Sequence, residues 1–345
     1  MLKLRILGND VQIINPFLME EDFFLQRSIK FCKNNNESYD LTLITHNLFQ
    51  DKKLGSFEAS LEKGLKFLEK IDGPFILVDG QDSHSLIGTY ETFIQSKALC
   101  LLKLCLLKNK DLYQNSYVGG RLYWGTSEDH GVAGQNYKAI GVEKHLENIH
   151  LLGTNWLGVQ KFPWYDYKNI TKLFNVSAMF GYPHPPCEEF DIQPSQDYYY
   201  NSHRTPVIEK INKSPYMISK LVKGKRVDMQ KYMQYVSCSQ ILLAPFGYGE
   251  IAPRDLESAQ YGSILLKPDM SHLETSPNIY KENETYLPCR HDYSDLEEKI
   301  DFALNNFNEL RDFYVENMRK EYNNKYYPGY FAENFTKLLA KLNIL

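Results

Sequence analysis

Two stretches of the sequence combine residue types that do chemistry. In Pro245-Phe-Gly-Tyr-Gly-Glu250, followed by Arg254-Asp-Leu-Glu257, glycines precede a guanidinium and a carboxylate set three positions apart. A glycine loop leading into a helix offers backbone N–H groups and the positive end of a dipole to an anion, and a guanidinium there grips phosphate oxygens through parallel hydrogen bonds. In Val78-Asp79-Gly-Gln-Asp82-Ser-His84, two carboxylates and an imidazole follow an apolar run. A carboxylate at the tip of a buried strand is placed to take a proton from a substrate hydroxyl, because clefts form at the C-terminal edges of parallel sheets. Asp79 is the candidate base. Asp82 is a second candidate and equally an N-cap for a helix opening at Ser83.

These groups need a strand, a turn and a helix to hold them. Gln240 to Ala244 is an apolar run of strand length, which Pro245, Gly247 and Gly249 break. Pro253 suits a first helical position, Leu256 and Ala259 share a face, and Gly262 stops the helix before the apolar Ile264 to Leu266. This strand, loop, helix and strand resemble the donor-binding domain of GT-B glycosyltransferases, with an exostosin-like flavour, over about Val227 to Asp292. The resemblance implies that Arg254 meets the donor diphosphate and Glu257 the nucleotide ribose. The loop residues Gly247, Tyr248, Gly249 and Glu250 would cradle the donor; six residues separate Glu250 from Glu257, where the retaining group-one pattern has seven. An alternative for Arg254 and Glu257 is a simple surface ion pair. Arg204, at the start of a helix opening at His203, and the basic run holding Lys220 and Arg226 are further candidates for the phosphates, or else solvated faces.

The fold so implied is α/β, with two Rossmann-like doubly wound domains facing a cleft: residues 1–165 for the acceptor, joined by a helix over 331–345, and 170–330 for the nucleotide sugar. The activity implied is transfer of a hexosyl or pentosyl group from a nucleotide-diphosphate sugar to a hydroxyl of a glycan or glycoconjugate acceptor. No cofactor and no metal ligand are expected, since the aspartates at 79 and 82 lack the acid-x-acid spacing of the metal-dependent GT-A enzymes. The alternative is a non-catalytic nucleotide-sugar or glycan-binding protein of the same fold.

The pattern of the first half agrees with a doubly wound domain. Strands are expected at Leu2 to Leu7, Tyr39 to Thr45, Pro74 to Val78 and Ala98 to Leu102, alternating with helices at Glu20 to Phe31, Phe57 to Ile71 and Ser83 to Gln95. Residues 152–167, rich in aromatics, suit a hinge, and 125–134 a loop. The chain has 345 residues, 43% of them hydrophobic and 24% charged, enough for two cores. Its formal net charge of -4 argues against a nucleic-acid partner. The 25 tyrosines and 19 phenylalanines fit core positions or sugar-lined pockets. Six scattered cysteines read as reduced thiols. No apolar run approaches the ~20 residues of a transmembrane segment, so a cytoplasmic protein is expected.

Overall fold

The computed structural model describes residues 1–7, 21–31, 39–45, 57–81, 83–124, 136–152, 163–180, 194–216, 218–220, 227–325 and 327–345. The first sheet holds β1 (Leu2–Leu7), β2 (Ile29–Phe31), β3 (Leu41–Thr45), β4 (Phe75–Asp79), β5 (Leu101–Lys103) and, beyond the short β6 (Cys105–Leu107), β7 (Ile149–Leu151). Its order is β2-β1-β3-β4-β5-β7, and every pairing is parallel. β3 and β4 are buried at every position, as expected of continuous apolar strands covered on both faces. The helices α1 (Glu21–Gln26), α2 (Phe57–Leu68) and α3 (Thr89–Ile94) belong to this half.

The second sheet is also parallel, with β8 (Phe174–Ala178), β9 (Ile218–Lys220), β10 (Ser239–Leu243), β11 (Ile264–Pro268) and β13 (Leu287–Cys289) in the order β9-β8-β10-β11-β13. The helices here are α4 (Pro194–Lys213), α5 (Met229–Ser237), α6 (Arg254–Tyr261), α7 (Leu296–Asn305) and α8 (Phe307–Lys325). Gly262 closes α6 in the left-handed region, φ 72°, and a Cβ there would lie 2.4 Å from Cβ of Tyr167, so only glycine fits.

The two halves are joined at their edges. β12 (Leu273–Thr275), just past β11, pairs antiparallel with β6 of the first half. Lys110 meets Glu274 at 2.7 Å beside this ribbon. One apolar cluster runs through both halves, from Leu77, Leu101 and Leu106 to Phe246, Ile251 and Leu273. The last helix, α9 (Tyr330–Lys341), returns to the first sheet: Phe331, Phe335 and Leu339 are buried with Leu4, Phe24 and Leu43. Among the described residues, no helix is long and apolar enough to cross a membrane.

Several local expectations change. The helical spacing over Glu20 to Phe31 ends at Gln26, because Ser28 adopts φ 60° and the chain then pairs with β1 as β2. The expected helix from Ser83 begins only at Thr89, after Gly88 at φ 83°. Just before the loop over 125–134, Tyr117–Val118 pairs with Asn136–Tyr137, and Leu122–Trp124 is a 3-10 turn. α4 starts at Pro194, so Arg204 lies within a helix and not at its start. The loop over 125–134 lies outside the described residues, as does most of the expected hinge.

The return of α9 generates a stability prediction. Phe335 has no exposed surface and meets Phe24 edge-on at 6.0 Å. Phe335→Ala should lower the unfolding free energy in guanidinium by about 3–5 kcal/mol; a change below ~0.5 kcal/mol, as at an exposed position, would mean that the helix is not seated there.

Candidate active site

The C-terminal ends of the two sheets face each other, and the segments that leave them carry the reactive groups. β4 delivers Asp79, which has no exposed surface and receives Lys103 Nζ at 2.6 Å and the Gln81 N–H at 2.9 Å. Lys103 Nζ also donates to the Ser85 carbonyl at 2.8 Å. Asp79 is therefore half of an enclosed ion pair that fixes the next turn of chain. Asp82 lies outside the described residues.

That turn carries His84, and His84 meets Glu250 of the other domain with both side chains fully enclosed. His84 Nδ1 hydrogen-bonds Glu250 Oε1, and the His84 backbone N–H donates to Glu250 Oε2 at 3.2 Å. On the far side of the ring, Nε2 accepts the Leu122 N–H at 3.3 Å. An acceptor at Nε2 puts the proton of a neutral ring on Nδ1, which then donates to the carboxylate. Burial by itself would raise the Glu250 carboxyl; His84, with His272 and Arg121 nearby, outweighs that cost and holds it below its ordinary 4.5.

Glu250 is braced from behind. Lys267 Nζ, buried, donates to the Glu250 carbonyl at 2.5 Å and to both Asp255 oxygens at 3.1 and 3.0 Å. Asp255 also takes the Tyr280 hydroxyl at 2.6 Å and the Ala252 N–H at 3.1 Å. Asp255 sits in the first turn of α6, where Lys267 neutralises a charge that would repel an anion.

Arg254 opens α6. Its Nη1 donates to the Met179 carbonyl at 3.2 Å, and its Nε is buried with no hydrogen-bond partner among the described residues. One turn on, Glu257 accepts the Tyr232 hydroxyl at 2.7 Å, and burial raises its carboxyl above the ordinary value. The Arg254 charge opposes this rise at Glu257, and Tyr232 interacts with both side chains. Gly247 and Gly249 form the loop with Tyr248, a residue that is 37% exposed. Tyr123 of the first domain donates to the Gly247 and Tyr248 carbonyls at 3.1 and 3.3 Å, and Arg121 Nε donates to the Tyr248 carbonyl. Arg204, buried, holds the Phe246 carbonyl at 2.9 Å and so anchors the root of the loop. Lys220 is the last residue of β9, opposite Ala178, and Arg226 lies outside the described residues.

Three histidines meet between the two facing edges. His84 lies 6.2 Å from His272, and His272 lies 5.0 Å from His291, ring centre to ring centre. Ligating atoms of His84, Glu250 and His272 fall within 4.8 Å of one another, as do those of Asp269, His272 and His291. The spacing of these residues along the chain gives no metal-ligand signal. Arg121 and Tyr123 likewise carry no motif, and their role arises only where the domains meet.

No family model matches the chain, and no curated protein matches it in sequence. In fold it is similar to sucrose-phosphate synthase from Thermosynechococcus elongatus, with TM-score 0.52 and 10% identity over 99% of each chain. It is similar also to Anabaena HepE, whose structure is a complex with UDP-glucose, with TM-score 0.50 and 10% identity over 99% of this chain and 100% of that one. At such identity the likeness concerns the fold, which is the two-domain α/β arrangement termed GT-B.

The Asp79–Lys103 pair generates the next prediction. Asp79→Asn or Lys103→Met leaves one buried charge uncompensated and should cost about 3–5 kcal/mol of stability by denaturant unfolding. The double variant should lie closer to wild type than the sum of the two losses; strict additivity would mean that the groups do not interact.

Proposed function

We propose that the protein is a glycosyltransferase that moves a sugar from a nucleotide-diphosphate sugar to a hydroxyl of a glycan or glycoconjugate, an exostosin-like variant of the GT-B theme. The observation that carries this reading is the meeting of His84 and Glu250 at the facing sheet edges, next to a glycine loop that runs into α6. Arg254 takes the diphosphate, which supplies an acceptor for its unpartnered Nε. The N-terminus of α6 and the loop amides stabilise the charge that grows on the departing diphosphate, and the Lys267–Asp255 pair keeps that region from being anionic. Glu257 accepts hydrogen bonds from the ribose. HepE is similar in fold and was solved with UDP-glucose, so uridine nucleotides head the donor panel.

The sequence points to Asp79 as base, but its ion pair with Lys103 occupies the carboxylate and favours a positioning role, and His84, enclosed as well, takes its place in our reading. Glu250 orients the imidazole through Nδ1, as a carboxylate orients the histidine of a catalytic triad. Nε2 then holds a lone pair, occupied only by a long 3.3 Å bond from Leu122, that an acceptor hydroxyl can claim. The transfer step itself uses protein groups and no metal.

Incubation with nucleotide sugars and mixed glycan acceptors should release free nucleotide. His84→Ala should slow release by ~10²–10⁴-fold, the usual contribution of a general base, with nucleotide affinity kept. Donor binding without release in the wild type would favour a non-catalytic binder, and unchanged turnover in His84→Ala would remove the base assignment.

A further inference from the structure

We propose that Asp269, His272 and His291 form a binding site for one divalent transition-metal ion of the zinc class, at the C-terminal edge of the second sheet. Their ligating atoms lie within 4.8 Å of one another. Ligand atoms ~2.0–2.2 Å from a tetrahedral zinc ion lie ~3.4 Å from one another, so side-chain adjustments of up to ~1.5 Å complete the set. Two imidazoles and one carboxylate, with a water in the remaining position, are a donor set that suits zinc.

His272 is the observation that asks for a ligand. Both of its ring nitrogens are buried, and neither has a hydrogen-bond partner among the described residues. Buried polar atoms are nearly always satisfied, and an imidazole with two bare nitrogens beside a carboxylate and a second imidazole is most simply satisfied by an ion.

The surrounding bonds are those that orient metal ligands. His291 Nε2 lies 2.8 Å from the Asp269 carbonyl oxygen; a carbonyl only accepts, so Nε2 carries the proton and Nδ1 the lone pair. The Asp269 carboxylate takes the Ser271 N–H at 2.9 Å, the Ser271 hydroxyl at 2.5 Å and the Tyr286 hydroxyl at 3.3 Å. The neighbouring set of His84, Glu250 and His272 also meets the distance test. There, however, His84 and Glu250 already satisfy each other, so His272 alone lacks a partner.

The ion is separate from the transfer chemistry, since none of its ligands is assigned to the donor or to proton transfer. It ties the segment after β11 to the segment after β13, at the point where His272 leads into β12 and its pairing with the first domain. Phe246, at the root of the glycine loop, packs against both histidines.

The test uses the full chain stripped with chelator and titrated with Co²⁺ and then Zn²⁺, read by visible absorption, metal content and thermal midpoint. One equivalent should bind, with cobalt d–d bands displaced by zinc and a midpoint that rises with metal concentration. His272→Ala and Asp269→Asn should each weaken binding at least tenfold, while His84→Gln, whose amide can still donate to Glu250, should keep it. Asp269→Asn preserves side-chain size, and matching metal-free melting curves show that it and His84→Gln fold. Absence of a bound equivalent in the wild type, retention by His272→Ala, or loss in a folded His84→Gln would overturn the site.

Discussion

The structure depends on holding two reactive loops face to face in the dry interior, and the bond between His84 and Glu250 is where that requirement is met. Both side chains have no exposure, so each needs the other: an unpaired carboxylate there would bear the full cost of desolvation. The same solution braces the pair on each side. Lys103 binds Asp79 and the Ser85 carbonyl next to His84, and Lys267 binds Asp255 and the Glu250 carbonyl. Each domain thus supplies one buried lysine that neutralises a carboxylate and fixes a backbone carbonyl at the meeting point. The β6–β12 ribbon and the shared apolar cluster keep the facing edges in register.

The abundance of tyrosine has a physical use at this interface. Tyr113 receives the Leu107 N–H at 2.9 Å and donates to the His84 carbonyl at 3.1 Å. Tyr280 donates to Asp255, and Tyr286 accepts the Met270 N–H at 3.0 Å. These rings fill apolar space while their hydroxyls satisfy backbone and carboxylate groups that water cannot reach. Of the two roles that composition allows, core filling and pocket lining, these three serve the core.

Local signals were legible where a residue's own stereochemistry decides the outcome. Gly262 ends its helix because no other residue fits beside Tyr167, and Val78-Asp79 ends a buried strand as its apolar run requires. The sequence was misleading where one residue's backbone overrode periodicity, as Ser28 did by converting the end of a helical pattern into β2. The placement of Asp79 at the end of its strand is legible, but its ion-pair partner Lys103 lies a helix and a strand away in the sequence, and no pattern joins the two. The contact between His84 and Glu250 spans 166 positions, and no spacing rule joins them. Asp269 and His272 are close in sequence, whereas His291 reaches them only because β11 and β13 are neighbours. Arg254 and Glu257 are legible as a helical pair; their bonds to Met179 and Tyr232 are not.

The central claim is that the edge formed by the glycine loop and α6 receives a nucleotide, and Glu257 tests it most directly. Calorimetric titration with UDP, GDP, ADP, CMP and dTDP should identify one that binds. For that nucleotide, Glu257→Ala should lose affinity by about ten- to a thousandfold, since each hydrogen bond to a charged group contributes ~1.5–3 kcal/mol. Wild-type affinity in a well-folded Glu257→Ala, or no binding of any of the five by the wild type, would contradict the account.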